Sequence, residues 1–150
     1  MKVSVASDMD TAVARAVVEE LRRRGHDPVV HGALAEGERA DWAWACERTA
    51  RDVAEGTAEQ GIVCCWTGTG ASIAANKVAG IRAALCGDAE TARGARTWND
   101  ANVLALSLRA TSEPLLEEIL DGWFATAPSD DPSDRANVKH VDELDAARAR

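Results

Sequence analysis

Short apolar segments alternate with segments of helical periodicity along the chain, and this alternation constrains the fold more than any other feature. No Asn-Gly or similar dipeptide joins two apolar segments as a hairpin would require. Strands separated by helices are typical of βαβ units, which build a parallel sheet with helices on its faces. We therefore predict an α/β fold with five parallel strands, over residues 2–7, 27–31, 62–65, 82–86 and 103–106.

The helices are predicted from apolar residues at spacings of three and four and from glycines that follow the last turn. They cover residues 11–24, 40–55, 88–98 and 113–124, and residues 72–77 lie in the third helix of the chain. A linker rich in Pro, Ser and Asp follows at 126–134, before a last helix at 136–148. We expect a single domain, residues 1–150, with an α/β core at 1–125 and the linker and C-terminal helix at 126–150.

The composition excludes several classes of function. A net charge of −8 argues against a nucleic-acid surface, and no apolar run approaches the ~18 residues of a membrane span. Residues 1–5 are typical of a strand and not of a secretory signal. The four cysteines lack CxxC spacing and share no ligand spacing with the three histidines, so we expect reduced thiols, a cytoplasmic location and no metal. His26 and His31 are predicted to be ordinary surface residues.

The chain around the third strand carries the clearest sign of chemistry. An apolar strand ends at Cys65 and runs through a Gly/Thr turn into a helix. Such a turn aims several backbone N–H groups at one point, which suits an anion or a developing oxyanion. Because the carboxyl ends of parallel strands meet at one edge of a sheet, we expect Asp8, Thr67 and Arg109 at the same edge.

Three segments, 68–77, 80–86 and 99–106, resemble the type B ribose-5-phosphate isomerase family, which also contains the galactose-6-phosphate isomerase subunits. The resemblance covers most of the chain in the same order. It implies a Rossmann-like three-layer α/β/α sandwich whose C-terminal helix extends to a neighbouring subunit. It also implies a homodimer or homotetramer with a shared active site. The implied reaction is the aldose–ketose isomerisation of a sugar phosphate, without a cofactor or metal.

Isomerisation through a cis-enediolate needs one base and several hydrogen-bond donors. The resemblance makes Cys65 the base and Thr67 a proton carrier on the substrate oxygens. Neighbouring strand residues face opposite sides of a sheet, so Cys64 and Cys65 cannot both be the base. We favour Cys65 because it ends the strand. The alternative for either thiol is an ordinary buried cysteine.

Several residues are assigned to substrate binding by the same resemblance, and each has a structural alternative. The backbone N–H groups of the turn would hold the oxyanion; they belong to Gly68, Thr69, Gly70, Ala71 and Ser72. Ser72 is also a candidate helix cap. Asp8 would bind sugar hydroxyls or cap the first helix, and Asn99 would contact the sugar or be the C-cap residue of the fourth helix.

A substrate phosphate requires cationic side chains. Arg109 matches a phosphate ligand of the family, and Arg135 and Lys139 align with two arginines that reach the neighbouring subunit's phosphate. Lys139 keeps a point charge but loses the bidentate fork of arginine. The alternative for Arg135 and Lys139, four residues apart on a terminal helix, is a solvated face.

Three departures from the family pattern bear on the substrate. Met9 and Trp98 replace two histidines, one that contacts phosphate and one that opens the furanose ring, and Trp66 replaces a glycine. A four-carbon sugar phosphorylated at O4 has no free hydroxyl with which to close a furanose. We therefore hypothesise a short, open-chain substrate of the tetrose type. The alternative is a non-catalytic sugar-phosphate-binding or regulatory subunit.

The remaining apolar residues predict an oligomer. Val138, Val141, Leu144 and Ala147 recur every three residues on the last helix, which predicts an apolar stripe and at least a dimer. Trp123 is predicted to lie in the core. Trp42 and Trp44 either stack on the sugar or pack between subunits, and the sequence leaves both open.

Overall fold

Five parallel strands form one central sheet in the protein. The structure, a computed structural model, describes residues 1–149. The strands are β1 (Lys2–Ser7), β2 (Asp27–Gly32), β3 (Gln60–Cys65), β4 (Ala83–Leu85) and β5 (Val103–Ser107). Their order across the sheet is β2-β1-β3-β5-β4, and every neighbouring pair is parallel. The predicted strands and their parallel arrangement are confirmed.

Helices cover both faces of this sheet. They are α1 (Ala12–Arg23), α2 (Trp42–Ala54), α3 (Thr69–Ala75), α4 (Ala89–Asn99), α5 (Glu113–Phe124) and α6 (Pro132–Arg148). One core joins the sheet to α1, α4 and α5, with Trp123 fully buried in it, and a second core joins the sheet to α2 and α3. The predicted α/β/α sandwich is therefore confirmed, as is the core position of Trp123.

Side-chain caps fix the start of most helices. Thr11 and Ser112 accept hydrogen bonds from backbone N–H groups three residues ahead, which starts α1 and α5. Asp131 caps α6 with Pro132 at its first position, so this helix begins four residues earlier than predicted and the linker is shorter. The third helix ends at Ala75, so Asn76 and Lys77 lie beyond it.

The capping alternatives for the site residues are wrong. Thr11, not Asp8, caps α1. Ser72 lies inside α3, whose N-cap position is occupied by Gly68. Asn99 is the last residue of α4, and Asp100 ends that helix in the left-handed conformation with φ 42°.

His31 is buried, contrary to the prediction, with a relative exposure of 6%. Its Nδ1 lies 3.1 Å from Glu38 Oε2, and its Nε2 lies 2.7 Å from Asp52 Oδ2. The imidazole therefore joins the loop after β2 to helix α2. The periodicity of a short strand does not reveal that α2 covers this face of β2.

Helix α6 is held by polar contacts and buries no residue of its own. Asp142 accepts a hydrogen bond from Arg82 at 3.0 Å, and Asp145 accepts one from the Gly80 N–H at 2.8 Å. Val141 and Leu144 of the predicted stripe remain exposed. No helix within residues 1–149 has the length and apolarity needed to cross a membrane.

Candidate active site

The site is built where β1, β3 and β5 end side by side. Hydrogen bonds continue past the strands: Leu108 N–H donates to Cys65 O, and Arg109 N–H donates to Trp66 O, both at 3.0 Å. Asp8 N–H donates to Cys64 O at 3.3 Å. The three segments that follow these strands therefore form one connected surface at the carboxyl edge of the sheet. Asp8, Met9, Thr67 and Arg109 are brought together there.

The two adjacent cysteines face opposite sides of the sheet. Cys64 is fully buried in the core of α1, α4 and α5, and burial strongly raises the pKa of its thiol. Cys65 faces α2 and α3 and has a relative exposure of 5%. Its Sγ accepts a hydrogen bond from Ala71 N–H at 3.4 Å. An N–H donor of this kind suits a thiolate, so Cys65 has the surroundings that a proton-carrying base needs.

Gly68 sets the shape of the turn after β3. Its φ is +75°, and a Cβ there would lie 2.9 Å from the backbone of Leu106 and Ser107. Only glycine adopts this conformation in so little space. The turn leaves the N–H groups of Thr69 and Gly70 without an acceptor within residues 1–149. These free donors lie one and two residues before Ala71, whose N–H already contacts the sulfur.

Two hydroxyls and one carboxylate add polar groups to this edge. Thr67 Oγ1 and Thr69 Oγ1 lie 2.7 Å apart and form a hydrogen bond in which either hydroxyl can donate. Asp8 Oδ1 is buried with no hydrogen-bond partner within residues 1–149. Burial raises the pKa of Asp8, although a backbone N–H partly offsets it. A buried oxygen without a partner is costly, and a sugar hydroxyl would supply the missing donor.

Two of the three replacements of family residues, Met9 and Trp66, lie at this edge. Met9 and Trp66 are both exposed, and Ser7 Oγ donates to Met9 O at 2.7 Å. Arg109 is also exposed, and its guanidinium forms no ion pair with the rest of residues 1–149. The edge therefore has an apolar rim and one available cation.

The other predicted site residues lie elsewhere on the same chain. Helix α4 runs back from the carboxyl edge, so Trp98 and Asn99 at its end lie near the start of β5. Trp98 lines a cleft of about 490 Å³ together with Arg135 and Lys139 of α6. Arg135 pairs with Asp130, and Lys139 lies 3.8 Å from Glu143. A strand of five residues spans roughly 16 Å, which separates these residues from Cys65.

Trp42 belongs to the site, although the sequence left its role open. It is the first residue of α2, and its indole lies against Gly70 of the turn. Behind it, Cys46 of the same helix is buried beside Cys65, and burial raises the pKa of its thiol to about 12. The one feature of the sequence that could have indicated this position is that Trp42 is an aromatic residue just after the second βα loop.

The chain belongs to the Ribose/Galactose Isomerase family, whose sequence model matches residues 3–141. By class it is a sugar-phosphate isomerase, which is an intramolecular oxidoreductase. Ribose-5-phosphate isomerase B of Escherichia coli is 40% identical over 108 residues, 72% of each chain. D-erythrulose-4-phosphate isomerase of Pectobacterium atrosepticum is 33% identical over 125 residues, which are 81% of this chain and 82% of that protein.

The fold agrees with this assignment. The solved structure of ribose-5-phosphate isomerase B from Clostridium thermocellum superposes with a TM-score of 0.89 at 34% identity, over 99% of both chains. The resemblance inferred from the three sequence segments is thus confirmed. The alternative of a non-catalytic subunit gains no support from these relatives.

Proposed function

We propose that this isomerase interconverts the aldose and ketose forms of a short, open-chain sugar phosphate, with Cys65 as the base. The observation that carries the proposal is the Ala71 N–H donated to Cys65 Sγ at the carboxyl edge. The sulfur takes a proton from one of the two reacting carbons and returns it to the other on the same face. A single base on one face requires a cis-enediolate.

The turn supplies the remaining chemistry. The free N–H groups of Thr69 and Gly70 point at negative charge as it develops on the substrate oxygen. Thr67 passes a proton between the two oxygens through its hydroxyl, which is hydrogen-bonded to the hydroxyl of Thr69. Asp8 holds a sugar hydroxyl through its unpartnered oxygen. Arg109 is the phosphate ligand contributed by this edge.

The substrate proposal rests on the missing histidines. Trp98 and Met9 have no titratable group with which to open a furanose ring or to hold phosphate. A tetrose 4-phosphate needs no ring opening because it cannot close a furanose. One relative is named D-erythrulose-4-phosphate isomerase, which supports a four-carbon substrate for this chain as well.

We further propose that one active site uses two copies of the chain. Arg135 and Lys139 would meet the phosphate bound at a partner's carboxyl edge, with Trp98 and Asn99 beside the sugar. The separation of these residues from Cys65 within one chain supports this arrangement, as do the exposed side chains of Trp98, Val141 and Leu144. Exposed apolar residues of this size are typical of subunit interfaces.

A substrate comparison tests the proposed reaction. We expect kcat/KM for D-erythrulose 4-phosphate to exceed that for ribose 5-phosphate by at least about tenfold, a difference of roughly 1.4 kcal/mol in transition-state binding. Replacement of Cys65 by Ser should abolish turnover of both substrates and the exchange of their C1 and C2 protons with deuterium oxide. The matched control is Cys86→Ser, a buried cysteine on the other face of the sheet.

A clear preference for ribose 5-phosphate would refute the proposal of a short, open-chain substrate. Activity retained by the Cys65→Ser variant would refute the proposal that Cys65 is the base.

A further inference from the structure

The indole of Trp42 lies face-on against the glycine turn. A Cβ built on Gly70 would lie 2.9 Å from Trp42 Cε3, 3.0 Å from Cδ2 and 3.3 Å from Cζ3. These are adjacent atoms of the six-membered ring, so the ring packs directly on the Gly70 α-carbon. Position 70 therefore needs glycine because of Trp42. The indole is still 44% exposed and covers the turn on its solvent side.

Packing, and not a side-chain cap, holds this turn, with Ala71 fully buried against the sheet. Helix α3 has seven residues, and its N-cap residue, Gly68, provides no side-chain hydrogen bond. Short helices owe their position to packing more than to their own stability. Gly70 directly precedes Ala71, whose N–H contacts Cys65 Sγ. A shift of the Gly70–Ala71 peptide would therefore lengthen the one hydrogen bond that reaches the sulfur.

Trp42 is itself held in place from both ends of α2. Glu38, in the loop before the helix, contacts His31 and accepts a hydrogen bond from the Gly32 N–H at 3.1 Å. Asp52, near the end of the helix, contacts the other nitrogen of the same imidazole at 2.7 Å. The helix and the loop that leads to Trp42 are thus fixed to the sheet by one buried side chain.

We propose that Trp42 is a positioning residue for the isomerisation. Its indole holds the Gly70–Ala71 peptide so that the Ala71 N–H stays on Cys65 Sγ. This inference rests on the proposed role of Cys65. Trp42 acts through the turn, and its own ring takes no part in proton transfer.

Trp44 provides a matched control on the same helix. It is 51% exposed, and its ring lies under the Arg39 guanidinium, 3.4 Å from the centroid, in a cleft lined by the loop before α2. Because the ring packs on its own chain, we expect it neither to stack on the sugar nor to pack between subunits. Trp42→Ala should lower kcat about tenfold or more, because misplacement of a reacting group by ~1 Å costs up to 10²-fold. KM should change much less. Trp42→Phe should stay close to wild type, and Trp44→Ala should change neither constant.

A second readout follows the sulfur directly. The rate of Cys65 alkylation by iodoacetamide is measured against pH, with the modified peptide identified by mass spectrometry. In Trp42→Ala the midpoint of this profile should move to higher pH, because the thiolate has lost a donor. Trp44→Ala should keep the wild-type midpoint. If Trp42→Ala does not fold, as judged by circular dichroism, Trp42→Leu takes its place in both measurements.

Two results would overturn the inference: a wild-type alkylation profile in the folded Trp42 variant, or equal effects of the Trp42 and Trp44 substitutions. The alkylation test also separates this inference from the proposed function. An active Cys65→Ser variant would remove Cys65 from catalysis, whereas the alkylation profile would still report whether Trp42 positions the turn.

Discussion

At the scale of single residues, the buried His31 is the least expected feature of the protein. Both of its ring nitrogens face carboxylates, and Asp52 also accepts a hydrogen bond from Ser4 Oγ at 2.8 Å. Burial raises the pKa of Glu38, but the Gly32 N–H and His31 outweigh it and hold the pKa below its ordinary value. The charge of Glu38 therefore stabilises the folded state.

Replacement of His31 by Leu should lower the free energy of unfolding by about 1–3 kcal/mol, because two partly buried carboxylates lose the imidazole that lies between them. Urea denaturation at neutral pH measures this loss. A depressed pKa contributes stability above its ordinary value and loses it on acidification. Wild type should therefore lose stability as the pH falls below about 4.5, and His31→Leu should lose less.

The control for this prediction is His140→Leu, on the exposed side of α6 with Glu143 at 3.5 Å. It should leave the free energy of unfolding unchanged. Equal effects of the two substitutions would contradict the bridging role of His31.

At the scale of elements, the turn between β3 and α3 leaves little room for a larger residue. Gly68 combines a left-handed backbone with contact distances that leave no room for a methyl group. Gly25, after α1, has a similar φ of +79° but nothing within 4 Å of a Cβ. A comparison of alanine substitutions at Gly68 and Gly25 therefore separates the cost of the left-handed backbone from the cost of steric contact.

Both Gly68→Ala and Gly25→Ala should incur the left-handed penalty of about 1–2 kcal/mol. Gly68→Ala should be less stable than Gly25→Ala in thermal unfolding, since its methyl group meets the backbone of β5. The kcat of Gly68→Ala should also fall about 10²-fold because the turn shifts, whereas Gly25→Ala should keep wild-type activity. Equal kcat values for the two variants would contradict this prediction and show that the turn accommodates the methyl group.

Much of this element-level description follows from sequence. The bounds of α5 are predicted to the residue because Ser112 and Pro114 mark its start. The start of α6 is missed because its cap, Asp131, lies in a segment with linker composition. The contact of Trp42 with Gly70 and the burial of His31 depend on how α2 lies on the sheet, which periodicity does not encode.

The order of strands and helices also predicts at which edge of the sheet each site residue lies. Cys65, Asp8 and Arg109 follow strands, so the βα order predicts their meeting at the carboxyl edge. Trp98 and Asn99 end a helix that precedes a strand, and the same order places them at the amino edge. The sequence resemblance assigns Arg135 and Lys139 to a neighbouring subunit's phosphate, but it assigns Trp98 and Asn99 to neither subunit.

At the scale of the whole molecule, the two groups of site residues lie at opposite ends of the strands. One group surrounds Cys65, and the other joins Trp98 to Arg135 and Lys139. A site that needs both groups has to be assembled from two copies. Symmetric dimers satisfy this requirement twice, with one complete site at each end of the interface.

Subunit mixing tests this assembly. Cys65→Ser and the double variant Arg135→Ala/Lys139→Ala should each have little activity alone. A mixed dimer contains one site with both defects and one with none, so random assortment should restore about one quarter of wild-type activity. Co-expression with two different tags allows the mixed dimer to be purified and assayed.

A purified mixed dimer without activity would contradict the shared site. So would a monomer in sedimentation at the concentration of the assay.

The distance between the two ends of the sheet also has an evolutionary consequence. If the active site is shared as proposed and a gene for such a chain is duplicated, one copy can lose the sulfur and the other its anchoring cations while the pair retains one working centre. Each copy then accumulates substitutions among the site residues that it no longer uses. A shared site would therefore let a heteromeric enzyme with two mutually dependent chains arise without any new catalytic group.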